Sequence, residues 1–477
     1  MTVLDQKQLA ALFLQYIESA SVITDDETLA PYECDGLTVY REKPMLVVLP
    51  DTVEQIQYVV QICNQYKIPL VARGAGTGLS AGAMPHRKGV LLSLAKFNRV
   101  LELDAEARIA RVEPGVLNLS ISLHADEHDL YYAPDPSSQI ACTIGGNVAE
   151  NAGGVHCLKY GLTVQNVLQL VVITAEGEKL TLGSDGLDSA GFDLVALLTG
   201  SEGLLGIVIE VTVKLLPKPE EVQVVMAAFD DIKNACDSVG AVISNGIIPS
   251  GLEMMDHYAI VAVENFCHVG YPRDAKAILL CEIDGSSEEV AENTLKVKEI
   301  FAVYGATSTR VSSSEEERAL LWKGRKSAFP AMGRISPDYY CMDGTIPRSQ
   351  LAYVLEKLEE MSKKYELRIA NVFHAGDGNL HPLILFDEKI PGEFAKAEAF
   401  GSEILELCVR VGGCITGEHG VGVEKIRQMS VQFTQNELNQ FNAIKDAFDP
   451  SLILNPGKGV PVLRHCQEFR KISAGAK

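Results

Sequence analysis

Two short segments carry residues whose types and spacing point to chemistry: His374-Ala-Gly-Asp-Gly-Asn-Leu-His381 and Gly417-Glu-His-Gly420. Apolar runs flank the first, Ile369-Ala-Asn-Val-Phe before it and Pro382-Leu-Ile-Leu-Phe after, and its centre is hairpin-turn chemistry. With Gly376-Asp-Gly-Asn379 as the loop, Ala375 faces Leu380 and His374 faces His381. Directly opposed residues of an antiparallel pair hold their Cβ atoms about 5 Å apart on one face. Two imidazoles so placed can chelate one cation, and Glu418 completes a two-histidine, one-carboxylate set with open positions. Open positions serve chemistry, and the donor set suits Zn²⁺, Mn²⁺ or Fe²⁺. The bland alternative is a hairpin with two surface histidines. The turn chemistry, and a second glycine-rich loop with adjacent acid and imidazole, weigh against it. His419, beside the ligand Glu418, is the natural general base; its structural alternative is a hydrogen-bond donor behind the ligands.

The elements that must position these groups follow from pattern. Met45-Leu-Val-Val-Leu is a buried strand, and Asp51-Thr-Val-Glu54 is a capping-box-like start for a helix with Val53, Ile56, Val60 and Cys63 on one face. A strand at 68–72 then runs into Arg73-Gly-Ala-Gly-Thr-Gly-Leu-Ser80. Short strands separated by Gly and Pro continue to Pro217 and Pro219, which suit a domain boundary. From about 221 to 412 strands alternate with amphipathic helices, near 288–304 and 393–411, predicting an antiparallel sheet backed by helices. An amphipathic first helix carries Leu9, Leu12, Phe13, Tyr16 and Ile17. The expected division is 1–218, 219–412, and a C-terminal segment 413–477 that returns to the first domain and the active site.

Composition narrows the class. With 477 residues, 47% hydrophobic and 22% charged, the chain is an ordinary globular protein of two or three domains. A net charge of −21 argues against nucleic acid or an anionic membrane surface as partner, so an anionic substrate needs a local basic pocket. No stretch approaches the ~18 apolar residues of a membrane span, and the N-terminus is neither a signal nor a transit peptide. Eleven scattered cysteines without C-x-x-C predict reduced thiols in the cytoplasm and exclude an iron–sulfur module within the chain.

Gly74-Ala-Gly76-Thr-Gly78 follows a strand, but a dinucleotide fingerprint needs a helix next and an acid about 20 residues on. Gly82, Pro85 and Gly89 preclude the helix, so a Rossmann reading fails. What remains is an anion nest of unblocked backbone N–H groups. Two more glycine-rich segments follow, at 135–154 and 199–206. Three in one region point to close backbone approach to a ligand.

These loops, with Asp135-Pro-Ser-Ser and Ile144-Gly-Gly-Asn-Val-Ala-Glu-Asn-Ala-Gly-Gly154, resemble the vanillyl-alcohol-oxidase (PCMH)-type FAD-binding fold. The His374 to His381 segment, Gly417-Glu-His-Gly420 and Asn455-Pro-Gly-Lys458 are similar to its FAD-dependent D-2-hydroxyacid dehydrogenase branch. The resemblance covers nearly the whole chain. It implies an α+β protein: an FAD-binding domain, and an α+β cap domain with an antiparallel sheet. FAD contacts are implied for Arg73, Gly74, Gly76, Thr77, Gly78, Ser80, Asp135, Thr143, Gly145, Gly146, Gly153, Gly154, Glu202, Gly206, Ile207 and Asn455. Thr77, standing where some relatives carry the histidine that bonds the flavin, implies non-covalent FAD. A metal at His374, His381 and Glu418 would acidify the hydroxyl of a 2-hydroxy acid, His419 would take the proton, and the hydride would pass to flavin N5. Arg325 is similar in context to the arginine the family uses for the substrate carboxylate; its alternative is a surface helix position among Lys323 and Lys326. Leu383 replaces a polar Asn of relatives acting on 2-hydroxyglutarate, which favours a small substrate such as glycolate or D-lactate. The implied partners are FAD-binding and iron–sulfur subunits that carry electrons towards the membrane, where the chain would sit peripherally. Two other readings are a D-lactate dehydrogenase acting alone and a non-catalytic electron-transfer or assembly subunit.

Overall fold

The computed structural model describes residues 4–186 and 190–461; Cys466 and the C-terminal segment beyond 461 lie outside the described residues. The chain opens with a helix, Gln6–Phe13, that buries Leu9, Ala10 and Phe13. Strands Leu46–Val48, Val90–Ser93 and Leu70–Arg73 lie side by side in parallel, with the two-residue strand Val22–Ile23 antiparallel at the edge. The helix Val53–Tyr66 connects two of them. Its N-cap is Thr52, whose side chain accepts from Gln55 N, one residue later than the sequence suggested. Asp51 instead donates its N–H to the Gln55 side chain at 2.7 Å. No helix follows Arg73: residues 74–89 are turns and coil, as a loop built on Gly and Pro dictates. A second, antiparallel sheet has the order Val100–Asp104, Ile109–Val112, Ile207–Lys214, Val167–Ile173, Lys179–Gly183.

The central part is a seven-stranded antiparallel sheet in the order Ala306–Val311, Glu221–Phe229, Ala277–Gly285, Gly251–Asp256, Ile369–His374, Pro382–Phe386, Asp338–Cys341. Helices cover both faces, not one. On Glu221–Phe229, Val225, Ala227 and Phe229 face one apolar cluster while Val224, Met226 and Ala228 face another. That alternation is the period-2 pleat of a strand buried on both sides. After the helix Glu393–Arg410 the chain crosses back: Leu454 pairs beside Leu70, and Asn455 N donates to Leu70 O at 2.8 Å.

The hairpin that carries the histidines differs in register from the expectation. Its turn is residues 375–378, and His374 stands opposite Asn379, not His381. A shift of two residues leaves every side chain on its original face. His381 therefore lies diagonal to His374 on one side of the sheet, with ring centroids 5.1 Å apart at 85°. Gly378 closes the turn at φ +82°, where a Cβ would fall 2.1 Å from Ile346 O. Both the left-handed backbone and that contact demand glycine. Gly378→Ala should cost about 1–3 kcal/mol, seen as a lower urea denaturation midpoint; an unchanged midpoint would contradict this account of the turn.

Candidate active site

The site is built around a buried carboxylate. Glu253 is the one acidic residue among the apolar side chains of Gly251–Met255, and in the sheet register it faces His374. Its Oε1 lies 2.7 Å from His374 Nδ1, and its Oε2 accepts from Arg325 Nε at 2.7 Å. Fixing one ring nitrogen in this way aims the other, Nε2, outward. There Glu418 Oε1 lies 3.4 Å from His374 Nε2 and 3.0 Å from His381 Nε2. The other oxygen of Glu418 accepts from Gly153 N at 3.0 Å, so the glycine segment at 135–154 fixes the acid.

The loop that presents Glu418 and His419 is folded around Asp343, which is fully buried. The Asp343 carboxylate accepts from the backbone N–H groups of Gly417 at 3.0 Å, Glu418 at 3.2 Å and His419 at 2.9 Å. Thr416 Oγ1 adds a bond at 2.6 Å, and the buried Lys425 ammonium lies 3.1 Å away as counter-charge. Glu202 holds the far side of the loop, accepting from Val421 N at 2.8 Å and Gly422 N at 2.6 Å.

The electrostatics separate the groups. Burial works against ionising Glu418, yet its bonds to His374 and His381 hold the carboxyl well below its usual range. Burial likewise disfavours a charged His374, and the charge of Glu253 overrides it, raising that imidazole well above its ordinary value. The centre is thus arranged to hold positive charge between Glu253 and Glu418. His419 is the opposite case: burial pushes it down to about 4, which leaves it neutral at pH 7, and its Nδ1 has no partner.

His381, Glu418 and His419 stand on the wall of a cavity of about 370 Å³. Arg73, Gly74, Gly76, Thr77, Gly78, Thr143, Gly145, Gly146, Glu202, Gly206 and Ile207 line the same cavity. The lining fits a large anionic cofactor. Thr143 Oγ1 is buried there without a partner, and a Cβ on Gly74 would meet it at 2.2 Å. Ser80, Asp135, Gly153, Gly154 and Asn455 lie outside that wall, contrary to their expected contacts, and support it instead. Asn455 Nδ2 donates to Gly82 O at 3.0 Å and Glu202 O at 2.7 Å, and Ser80 O accepts from Val423 N at 3.0 Å. Asp135 accepts from His156 N at 3.1 Å, and Gly154 packs against the Asp135 backbone.

The expectation for Arg325 also changes. It is 2% exposed, its Nε donates to Glu253 Oε2 at 2.7 Å, and it does not line the cavity. Its position is not a surface one, and its Nη2, buried beside the carboxylate that holds His374, makes no hydrogen bond among the described residues. Sequence reasoning missed Glu253, Asp343 and Lys425. A lone acid inside an apolar strand was the available signal for Glu253, since a buried charge must have a partner.

Comparison with known proteins agrees with this architecture. Residues 44–183 match the family described as FAD binding domain, and residues 218–459 match FAD linked oxidases, C-terminal domain. The chain is 58% identical to glycolate oxidase subunit GlcD of Escherichia coli K12, over 98% of this chain and 93% of that one. It is 39% identical to the Bacillus subtilis protein of the same name, over 90% and 91%, and 32% identical to a D-lactate dehydrogenase of Anaerostipes hadrus, over 92% and 94%. p-Cresol methylhydroxylase shares the fold with a TM-score of 0.80 at 20% identity, covering 96% of this chain and 97% of that one. The chain therefore belongs to the FAD-linked oxidases with a PCMH-type FAD-binding domain, among the GlcD-type proteins, and is an FAD-dependent oxidoreductase.

The Glu253 contacts give a direct test. Glu253→Gln leaves Arg325 buried without its counter-charge, and breaking such a pair costs about 3–5 kcal/mol. The double variant with Arg325→Met should recover part of that loss in urea denaturation. Strictly additive losses would show that the two side chains are not coupled.

Proposed function

We propose that this chain oxidises a small 2-hydroxy acid, glycolate to glyoxylate with D-lactate as a second substrate. A divalent cation, Zn²⁺ or else Mn²⁺ or Fe²⁺, is held by His374, His381 and Glu418. The observation that carries this reading is the convergence of His374, His381 and Glu418, the last two on the cavity wall beside His419, a neutral imidazole whose Nδ1 has no partner. Relatives named glycolate oxidase subunit and D-lactate dehydrogenase support the substrate class. When bound, the cation supplies a Lewis acid and the non-covalently held FAD supplies the hydride acceptor. The chain's own residues do the rest. Glu253 orients His374, Gly153 orients Glu418, and the free Nδ1 of His419 accepts the substrate hydroxyl proton. Leu383, wholly buried in an apolar cluster, offers nothing to a second carboxylate, which favours a monocarboxylate.

The test is anaerobic bleaching of the purified flavin by glycolate, D-lactate, L-lactate and D-2-hydroxyglutarate in turn. Glycolate and D-lactate should bleach it. His419→Asn should slow bleaching about 10²–10⁴-fold with little change in affinity. Glu418→Ala should abolish it together with stoichiometric metal, while FAD absorbance is retained. Active enzyme without metal would refute the metal reading; bleaching by D-lactate alone would make the chain a D-lactate dehydrogenase.

We further infer that the electrons leave for partner subunits, one of them an iron–sulfur protein. The sequence has no iron–sulfur or haem motif of its own, and the relatives at 58% and 39% identity are named as subunits. The isolated chain should reduce dichlorophenolindophenol much faster than oxygen. Peroxide production at the dye-reduction rate would mean a self-sufficient oxidase.

A further inference from the structure

Against the loop that carries Glu418 and His419, two further carboxyl groups converge on the wall of the FAD cavity. Glu150 ends the helix Ile144–Glu150, and Glu202 belongs to the third glycine segment. Gly82 and Gly420 are the residues that admit them. A Cβ on Gly420 would stand 2.1 Å from Glu150 Oε2 and 3.2 Å from Glu202 Oε1. A Cβ on Gly82 would stand 3.0 Å from Glu150 Oε1 and 3.7 Å from Glu202 Oε2. Ser80 Oγ, fully buried and without a hydrogen-bond partner, lies 3.2 Å from that second point. Two carboxyls in such a site cannot both ionise freely, so the pair retains a proton.

The hydrogen bonds decide which carboxyl keeps it. Glu202 accepts from Val421 N at 2.8 Å and Gly422 N at 2.6 Å, which favours its anion. Glu150 Oε2 has no partner among the described residues. Burial first, and then the charge of Glu202, push the Glu150 carboxyl well above its ordinary range. Asp35 adds a third negative charge, while Lys425 and Lys458 offset part of it. Both ammonium groups are bonded to other partners. Lys425 Nζ lies 3.1 Å from Asp343 and 2.9 Å from Gly420 O; Lys458 Nζ donates to Gly82 O at 3.0 Å and to Met84 O.

FAD carries a pyrophosphate with two negative charges, and an ionised Glu150 on the cavity wall opposes its entry. A neutral carboxyl does not, and its O–H is a donor the cofactor can use. We propose that Glu150 and Glu202 share one proton, carried on Glu150, and that this neutral carboxyl is the form that accepts FAD. Cofactor binding and the proton are then coupled, because the pyrophosphate charge strengthens the hold of Glu150 on its proton. Affinity for FAD is full while the pair keeps the proton, and it falls as pH rises through the titration of Glu150.

The test follows FAD release from the loaded protein. Samples are diluted at pH values between about 6 and 9, and the dissociation constant is read from the fluorescence of freed FAD, which has no group titrating in that range. In the wild type the constant should rise about tenfold or more across the range. Glu150→Gln, a neutral isostere, should match the wild type at the acid end and bind FAD more tightly at the alkaline end, with no slope. Glu150→Ala is the second neutral variant and should be equally flat, whereas Glu150→Asp should keep the slope. A flat wild-type profile would overturn the proposal. So would a slope that survives both neutral variants, which would place the titration on Lys458, brought down by burial to about 7. FAD release is measured without turnover, so this result stands apart from the hydroxy-acid reading.

Discussion

A carboxylate in the interior of a sheet must be neutralised, and the way Glu253 is neutralised sets the rest of the site. Its two oxygens are divided between His374, across the strand pair, and Arg325, on the covering helix. The imidazole is thereby locked with Nε2 outward, and the helix Glu315–Lys326 is pinned to the sheet. A site precise enough for chemistry thus rests on an ion pair that does not line the FAD cavity, and burial raises the penalty for losing either partner.

The second constraint joins the halves of the molecule. Glu418 comes from the C-terminal return of the chain, its Oε2 is held by Gly153, and its Oε1 meets histidines of the central sheet. Glu202, from the third glycine segment, grips the same loop through Val421 and Gly422. The glycine segments therefore shape the cavity and also place the acid at its end. Asp343 completes the arrangement by gathering three consecutive backbone N–H groups, with Lys425 as counter-charge. Local sequence alone would not hold a loop of Gly417-Glu-His-Gly420 in one conformation. A buried acceptor does.

What the sequence disclosed, and what it hid, follows from range. The paired histidines were legible because turn chemistry and strand period are local. The expected register was wrong by two residues, and a period of two made that error harmless; an error of one would have sent His381 to the opposite face. The absence of a Rossmann helix was legible for the same reason, from Gly82, Pro85 and Gly89. Glu253 was not legible as a site residue: its partners lie 72 and 121 positions away, and no local pattern announces them. Arg325 and Lys326 mark the limit of motif reasoning. Both are cationic and adjacent, and only the rotation of the helix decides which one is spent in the core.

The imidazoles at the site show why proximity does not make them equivalent. His374 sits between Glu253 and Glu418, and their charge favours its cationic form despite complete burial. His419, stacked on His381 with centroids 5.1 Å apart at 12°, feels the charges of Asp343 and Glu418, but its burial outweighs them and the neighbouring His381 and Lys425 work against them. Burial therefore dominates and keeps it neutral. Environments that push like groups apart are how one site assigns different roles to the same residue type. The position between the carboxylates attracts a cation, and the neutral ring on the cavity wall is left to receive a proton. The acids decide that division, so the fold's cost in buried carboxylates is bound up with the chemistry it can support.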